Sequence, residues 1–333
     1  MISYLKLLEY FLYAFFFALI VSPFVISMLK REKIKQTILH YVDNHKLKNG
    51  TPTMGGIIFL LTISLISIIC IGDASSYVKI TILIFLFYGL VGFLDDFIKF
   101  RFKRNLGLRA YQKIIFQLIV SILVGWFVYR NLGGVILIPF TNKLIDLGAW
   151  IIPLVVLVYL ATTNSVNLTD GLDGLATSTT LIYLLSFLIL ELVLLDKGIL
   201  AVNVANVAEI YNLSIVISIA CGALLCFLLF NCFPAKIFMG DTGSLALGSL
   251  IASVSIFSGL ELFIPILGFV FVASAVSVIL QVAYYKMTKK RIFLMAPLHH
   301  HFEKKGVHEV RITFCYATLS LLVGVIVILI NIL

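Results

Sequence analysis

Two adjacent carboxylates close an otherwise apolar run, Gly92-Phe93-Leu94-Asp95-Asp96-Phe97-Ile98-Lys99. Like charges this close do not both ionise cheaply in a poorly hydrated site unless a cation stands between them. The pair suits a general base, a magnesium site or a proton relay. A solvated pair at a helix end is the plainer reading, but a helix C-terminus disfavours carboxylates. A second constellation runs through 163–175, where Asn164, Asn167, Asp170 and Asp173 recur every three residues with Gly171 and Gly174 among them. On a helix each step turns by about 60°, so neighbours such as Asp170 and Asp173 share a face. In a loop, the glycines let backbone N–H groups approach a ligand. No Lys or Arg interrupts this stretch, so its carboxylates call for a metal or for a cation from another loop. Ordinary Asn/Asp/Gly turns are the competing explanation, and the density of the pattern favours chemistry.

Three further motifs carry polar groups. Phe238-Met239-Gly240-Asp241-Thr242-Gly243-Ser244 opens a helix whose free N–H groups make an anion site. Asp241 beside it is a candidate Mg²⁺ ligand, since that ion takes one or two carboxylates plus phosphate and water. Self-capping by Thr242 or Ser244 is the structural alternative. Met295-Ala296-Pro297-Leu298-His299-His300-His301-Phe302-Glu303 places three histidines in a row. They cannot aim at one point from a regular backbone, and in an extended chain His299 and His301 share a side with His300 opposite. A three-histidine zinc site is therefore disfavoured, and donation to phosphate oxygens fits better. Finally, His45-Lys46-Leu47-Lys48-Asn49-Gly50-Thr51-Pro52-Thr53-Met54-Gly55-Gly56 offers lysines that suit phosphate and lipid headgroups equally. The basic run 99–113 has the same ambiguity.

The elements that must position these groups are membrane helices. Of 333 residues, 61% are hydrophobic and 12% charged, against about 45–50% and 25% in soluble domains. Mean hydropathy is +1.11. These values exclude a soluble globular domain and a disordered chain, and five cysteines are too few for a disulfide scaffold. Ten apolar runs are long enough to cross a bilayer: 10–29, 55–72, 78–98, 113–129, 148–163, 176–195, 212–230, 244–260, 262–285 and 312–332. The run 244–260 is the least apolar, and its Gly and Ser suit close helix packing. The reading is an all-α polytopic membrane protein of about ten transmembrane helices, with 1–333 forming one domain. Between the runs, Gly133-Gly134 followed by Val-Ile-Leu-Ile suits a short hairpin, and 201–211 suits an interfacial helix.

Ten crossings place both termini on one side. The net charge of +9 then reports topology rather than nucleic-acid binding. All of the 25 Lys and Arg except Lys6, Lys79, Arg130, Lys143 and Lys197 fall on one set of connecting segments or at its border. By the positive-inside rule that set is cytoplasmic and the termini face outward. All five motifs lie on the same cytoplasmic face. Carboxylates, lysines, histidines and a helix N-terminus converging there are suited to phosphoryl transfer with magnesium.

Thr-Pro-Thr-Met-Gly-Gly, the Asp95-Asp96 motif, Asn167-Leu168-Thr169-Asp170-Gly171-Leu172-Asp173-Gly174, the Asp241 motif and the His299–His301 motif occur here in one order. Together they resemble the polyprenyl-phosphate N-acetylhexosamine-1-phosphate transferases, in their muramoyl-pentapeptide branch. The likeness covers 45–303. It implies a multi-pass enzyme of the bacterial cell (inner) membrane. Its donor would be UDP-MurNAc-pentapeptide, its acceptor undecaprenyl phosphate, its products lipid I and UMP, and its cofactor Mg²⁺. It further implies Asp241 as metal ligand, Asp95 as base on the lipid phosphate with Asp96 beside it, and His299 among the catalytic groups. Lys46, Lys99, Asn164, Asn167, Asp170, Asn231, His300 and His301 would bind substrate, and Asp173 and Phe238 would hold the uracil. Membrane lipids surround such a protein, and a homodimer is compatible with it. The likeness breaks after Glu303, where Val307 follows Gly306 in place of the family's tryptophan. A sister transferase using UDP-GlcNAc shares the aspartates, but the histidine and Thr-Pro-Thr-Met-Gly-Gly motifs argue against it. A secondary transporter would place polar residues near the midplane within inverted repeats, and no repeat is found. Direct attack by the lipid phosphate and a covalent aspartyl intermediate look alike in sequence.

Overall fold

The structure is a computed structural model and describes residues 4–32, 50–71, 75–102, 107–141, 143–200 and 207–333. Lys46 lies outside the described residues. Each of the ten apolar runs forms a helix. They are α1 (Tyr4–Arg31), α2 (Gly56–Ile71), α3 (Ser76–Arg101), α4 (Ala110–Asn131) and α5 (Ile151–Thr169), followed by α6 (Leu175–Asp196), α7 (Val207–Asn231), α8 (Gly240–Phe257) and α9 (Phe269–Thr288). A seven-residue helix, α10 (Leu298–Lys304), precedes the last span, α11 (Glu309–Ile332). Among the described residues nine of these are long and apolar enough to cross a membrane, and α2, with 16 residues, is shorter.

The small-residue run is the centre of the bundle. Every residue of α8 from Thr242 to Phe257 is buried, and α2, α3 and α5 pack around it. Its glycines set the approach distances. A Cβ on Gly248 would lie 2.4 Å from Thr163 Cα, and one on Gly92 of α3 would lie 2.1 Å from the Asp241 carbonyl oxygen. Helix association in lipid relies on such close packing because burial of apolar surface no longer drives it. Tyr159 on α5 reaches Ser253 at 2.8 Å and Tyr183 on α6 reaches Ser255 at 3.2 Å, so these two interior tyrosine hydroxyls are satisfied across helices. The outer helices turn apolar side chains outward. In α1, Leu8, Leu12, Phe16 and Phe24 are exposed while Ala14 and Ala18 are buried, as expected for a lipid-facing helix.

At the end of the bundle remote from the carboxylate motifs, Tyr4 donates to Asp196 at 2.8 Å and Lys197 to the Ile332 carbonyl at 2.8 Å. Both ends of the described chain therefore meet there. Glu209 accepts from the Ser75 hydroxyl and from the backbone N–H of Ser76 at 3.2 Å, placing a negative charge at the N-terminus of α3. The expected hairpin is present as β1 (Val135–Ile138) and β2 (Lys143–Asp146), antiparallel, with Val135 opposite Asp146. Leu137 N–H ties it to the Gly259 carbonyl at 3.2 Å.

Two expectations are corrected. The ninth span starts at Phe269, not 262, because Glu261–Phe263 forms a 3-10 turn and Ile264–Leu267, with a proline at its start, a separate helical turn. The segment 201–211 gives no separate interfacial helix in its described part, since 207–211 are the first residues of α7; 201–206 lie outside the described residues. The last span is complete despite Val307, with His308 capping α11 by accepting from Val310 N–H at 3.3 Å.

Candidate active site

Asp95 and Asp96 sit just over a turn from the end of α3, and Asp241 sits in the first turn of α8. The two helices cross at Gly92, so the three carboxylates converge. One ligand oxygen from each lies within 4.8 Å of the others. Two lysines fill the space between them. Lys99, one turn beyond Asp95, lies 2.6 Å from Asp95 Oδ2 and 3.1 Å from Asp241 Oδ2. Lys113, on the first turn of α4, lies 3.0 Å from Asp95 Oδ2 and 2.6 Å from Asp241 Oδ2. Asn167 on α5 donates to Asp241 Oδ1 at 2.9 Å and to Ser244 Oγ at 2.8 Å. Asp95 Oδ1 accepts from Leu108 N–H at 2.7 Å.

The N-terminus of α8 does bind an anion, and that anion is Asp96. Its Oδ2 accepts from Thr242 N–H at 2.9 Å and from Thr242 Oγ1 at 2.7 Å. Capping across helices replaces the self-capping alternative, and it uses the dipole of α8 to hold a buried carboxylate. Gly240 makes room: a Cβ there would lie 2.5 Å from Asp96 Oδ2.

The donor set fits a hard divalent cation. It is all carboxylate oxygen, which suits Mg²⁺, Ca²⁺ or Mn²⁺ rather than zinc. Two ammonium groups already stand on the oxygens a metal would use, so the pocket is built for positive charge. Three carboxylates against two lysines leave it one charge short of neutral.

Around this centre the other sequence-selected residues divide. Asp170 caps the end of α5 and its carboxylate makes no hydrogen bond or ion pair among the described residues. Burial, with the charges of Asp241, Asp96 and Asp173 nearby, pushes its carboxyl well above the usual carboxylate range. Asp173 instead accepts from Ala235 N–H at 2.9 Å and fixes the loop that carries Phe238. Phe238 pairs through its backbone with Pro52 and Gly55, at 2.9 and 2.8 Å, which docks the Thr-Pro-Thr-Met-Gly-Gly segment beside α8. Asn231 is buried and structural: Thr177 donates to it at 2.6 Å and it donates to the Ile237 carbonyl at 2.9 Å. Asn164 turns away from the carboxylates, donating to Gln117 Oε1 at 2.9 Å and to the Leu160 carbonyl at 2.8 Å.

The histidines lie on a helix, not an extended strand, and they point three ways. His299 is buried with neither ring nitrogen hydrogen-bonded among the described residues. Burial, and then His300 beside it, lower its pKa to about 3, so it is neutral at physiological pH. His300 pairs with Glu303 at 2.9 Å, and His301 accepts from Leu294 N–H at 3.1 Å. Two of the rings meet the Asp170–Asp173 loop, for a Cβ on Gly171 would lie 2.3 Å from His299 Nε2 and 2.9 Å from His300 Nε2. Sequence reasoning missed Lys113 and Ser244 as parts of the centre. Lys113 was visible only as one member of a basic run, and its one distinguishing signal is that it sits at the first turn of an apolar helix.

A family model described as Glycosyl transferase family 4 matches residues 77–259. Phospho-N-acetylmuramoyl-pentapeptide-transferase signature 1 matches residues 48–60. Curated relatives bear the name phospho-N-acetylmuramoyl-pentapeptide-transferase. The one from Clostridium novyi (strain NT) is 42% identical over 93% of this chain and 92% of its own length. That from Clostridium botulinum (strain Eklund 17B / Type B) is 44% identical over 95% and 93%. That from Clostridioides difficile (strain 630) is 41% identical over 92% and 91%. The converging aspartates thus stand in a chain that matches these transferases along nearly its whole length, and the chain belongs to the phospho-N-acetylmuramoyl-pentapeptide-transferase family.

Proposed function

We propose that the chain transfers phospho-MurNAc-pentapeptide from UDP-MurNAc-pentapeptide to undecaprenyl phosphate, giving lipid I and UMP in peptidoglycan biosynthesis. The observation that carries this reading is the meeting of Asp95, Asp96, Asp241, Lys99 and Lys113 from three helices at one end of a membrane bundle. Phosphoryl transfer needs positioning and charge compensation more than covalent chemistry from the protein. An oxygen of the lipid phosphate attacks the β-phosphorus of the donor, and the bond from that phosphorus to the UMP oxygen breaks.

Each charged group has a role in that displacement. Asp95 is held by Leu108 N–H on one oxygen and faces both lysines with the other. It receives a proton from the acceptor phosphate or holds that phosphate in line. Lys99 and Lys113 exchange their carboxylate contacts for phosphate oxygens and offset the charge that develops there. Asp96 is committed to the N-terminus of α8 and keeps the helix crossing rigid. Asn167 orients Asp241. A bound Mg²⁺ would be held by Asp241, with Asp95 and Asp96 in reach, and would neutralise the donor diphosphate. Asp173 and Phe238 hold the uracil. Asp170 and the His299–His301 helix, whose rings meet the loop at Gly171, line the rest of the donor pocket. Asn164 and Asn231 support it from outside by holding α4 and the loop before α8, and Lys46 is assigned to substrate by the family resemblance alone. We read Asp95 as base on the acceptor phosphate, with Oδ1 kept by Leu108 N–H and Oδ2 freed when Lys99 and Lys113 turn to phosphate oxygens. The chain is taken as one domain, with this end cytoplasmic and both termini outside, on the strength of the Lys and Arg distribution.

A transfer assay with purified protein, Mg²⁺ and undecaprenyl phosphate tests this, with UDP-MurNAc-pentapeptide and UDP-GlcNAc competing as donors. Lipid I and UMP from the first donor are expected. Preference for UDP-GlcNAc would overturn the branch, and no transfer from either would overturn the reaction.

A further inference from the structure

The last turns of α9 stand clear of the bundle. Residues 282–291 are all exposed, on every side of the helix, with Met287 at 84%. This tip carries Lys286, Lys289, Lys290 and Arg291, and no acidic residue occurs anywhere between Glu261 and Glu303. None of the four cations has an ion-pair partner among the described residues, whereas Lys99 and Lys113 are held by aspartates. Tyr284 and Tyr285 occupy the turn before, and Lys289 Nζ lies 5.9 Å over the Tyr285 ring.

The tip is also closed. Lys289 takes a left-handed conformation, φ 58°, and ends the helix. The chain then folds back along α9. Gln281 Oε1 accepts from Ile292 N–H at 3.2 Å and Phe293 N–H at 2.9 Å, and Ser277 Oγ accepts from Leu298 N–H at 3.0 Å. The returning strand reaches α10 through Leu294 N–H, which donates to His301 Nδ1. The four cations therefore project at the end of a membrane-spanning helix, on a loop pinned to the histidine helix.

We propose that this basic tip docks on the anionic phospholipid headgroups of the bilayer, of the phosphatidylglycerol class, and anchors the loop that carries α10. Ile279, Leu280 and Val282 are exposed on the same helix and lie in the hydrocarbon. The tyrosines sit at the interface, where their amphipathic rings are favoured. The cations then lie at phosphate depth, where a cluster of Lys and Arg next to a span gains about a few-fold in affinity per charge. Arg291 adds a fork suited to phosphate oxygens.

The test uses the full-length protein in phosphatidylcholine bilayers doped with spin-labelled phosphatidylglycerol or spin-labelled phosphatidylcholine. It compares wild type with the triple variant Lys289→Gln, Lys290→Gln, Arg291→Gln. Wild type is expected to immobilise phosphatidylglycerol in excess over phosphatidylcholine, and high salt should erode that excess. The variant should lose it by roughly tenfold while keeping wild-type turnover in detergent. Equal lipid selectivity in both proteins overturns the proposal. Displacement of the label by stoichiometric undecaprenyl phosphate assigns the tip to the acceptor instead, and displacement by inorganic phosphate assigns it to a free anion. Equal loss of turnover in detergent and in bilayers makes the tip structural. Each of these three also overturns it.

Discussion

Replacing Lys113 with methionine removes a charge while nearly keeping the side-chain length, and the structure gives the size of the effect. Lys113 Nζ lies 3.0 Å from Asp95 Oδ2 and 2.6 Å from Asp241 Oδ2, with its side chain 21% exposed. Two carboxylate oxygens within 4.8 Å repel by about 3.5 kcal/mol at an effective dielectric of 20. Lys113 and Lys99 together offset that repulsion, and Lys99 alone bridges the same two oxygens after the change. Removing one partner of a largely buried ion pair costs about 3–5 kcal/mol. The remaining lysine and partial exposure keep the loss near about 3 kcal/mol. In thermal unfolding of the detergent-purified protein with chelator present, Lys113→Met should melt roughly 5 °C lower than wild type. Saturating Mg²⁺ should restore most of this, because a divalent ion takes over the oxygens the lysine left. The Mg²⁺-induced rise in melting temperature should therefore be larger in the variant than in wild type. Equal rises in the two proteins would refute the idea that Lys113 and the metal share Asp241 Oδ2.

Asp241→Asn should cost about 10²–10³ in turnover, the usual loss of one electrostatic element of a transition-state site; retention of more than about a tenth of the rate at saturating Mg²⁺ would reject Asp241 as the metal ligand. Asp95→Asn should recover part of its lost rate between about pH 6.5 and pH 9, because a phosphate monoester loses its second proton near pH 6. Asp241→Asn should show no such recovery, and parallel losses in both variants would remove the base role. A membrane-impermeant probe should reach positions 46, 103 and 304 from the cytoplasm and positions 143 and 197 from outside; the reverse pattern would move the site to the other face. His299 has a folded-state pKa of about 3 against 6.5. The unfolded chain therefore binds its proton first, and stability falls as pH drops from 6.5 toward 3, by up to about 1.4 kcal/mol per pH unit. His299→Leu should flatten that acid limb in melting curves, and an unchanged slope would place the titration elsewhere.

Much of this site was legible because the background is so apolar. In a chain that is 61% hydrophobic, Asp95-Asp96 and Asp241 stand out with few competitors, and a lipid-embedded helix gives a carboxylate few directions in which to point. Gly133-Gly134 likewise marked where the hairpin begins, just before β1, while its turn falls after Ile138, between β1 and β2. What stayed hidden depends on how helices cross. Thr242 has the residue type of a self-cap, and only the approach of α3 at Gly92 shows that Asp96 takes that place. The run 244–260, poorest in apolar residues, was the faintest span in sequence, yet its Gly and Ser are what put α8 at the centre.

The period-three pattern from Asn164 to Asp173 shows why spacing alone assigns roles incompletely. Three residues on an α-helix fall about 60° short of a full turn, so successive members drift around the axis. Asn164 consequently faces α4 and meets Gln117, whereas Asn167, one step on, faces α8 and meets Asp241. After Thr169 the helix ends, and Asp170 and Asp173 are set by loop geometry instead. One motif thus serves three neighbours: α4, the charged centre and the loop before α8. Lys113 is the converse case. It lies outside every motif, yet α4 carries it one helical turn before Gln117, the same residue that receives Asn164. The contact that turns Asn164 away from the carboxylates is therefore the contact that fixes α4 where Lys113 can reach them.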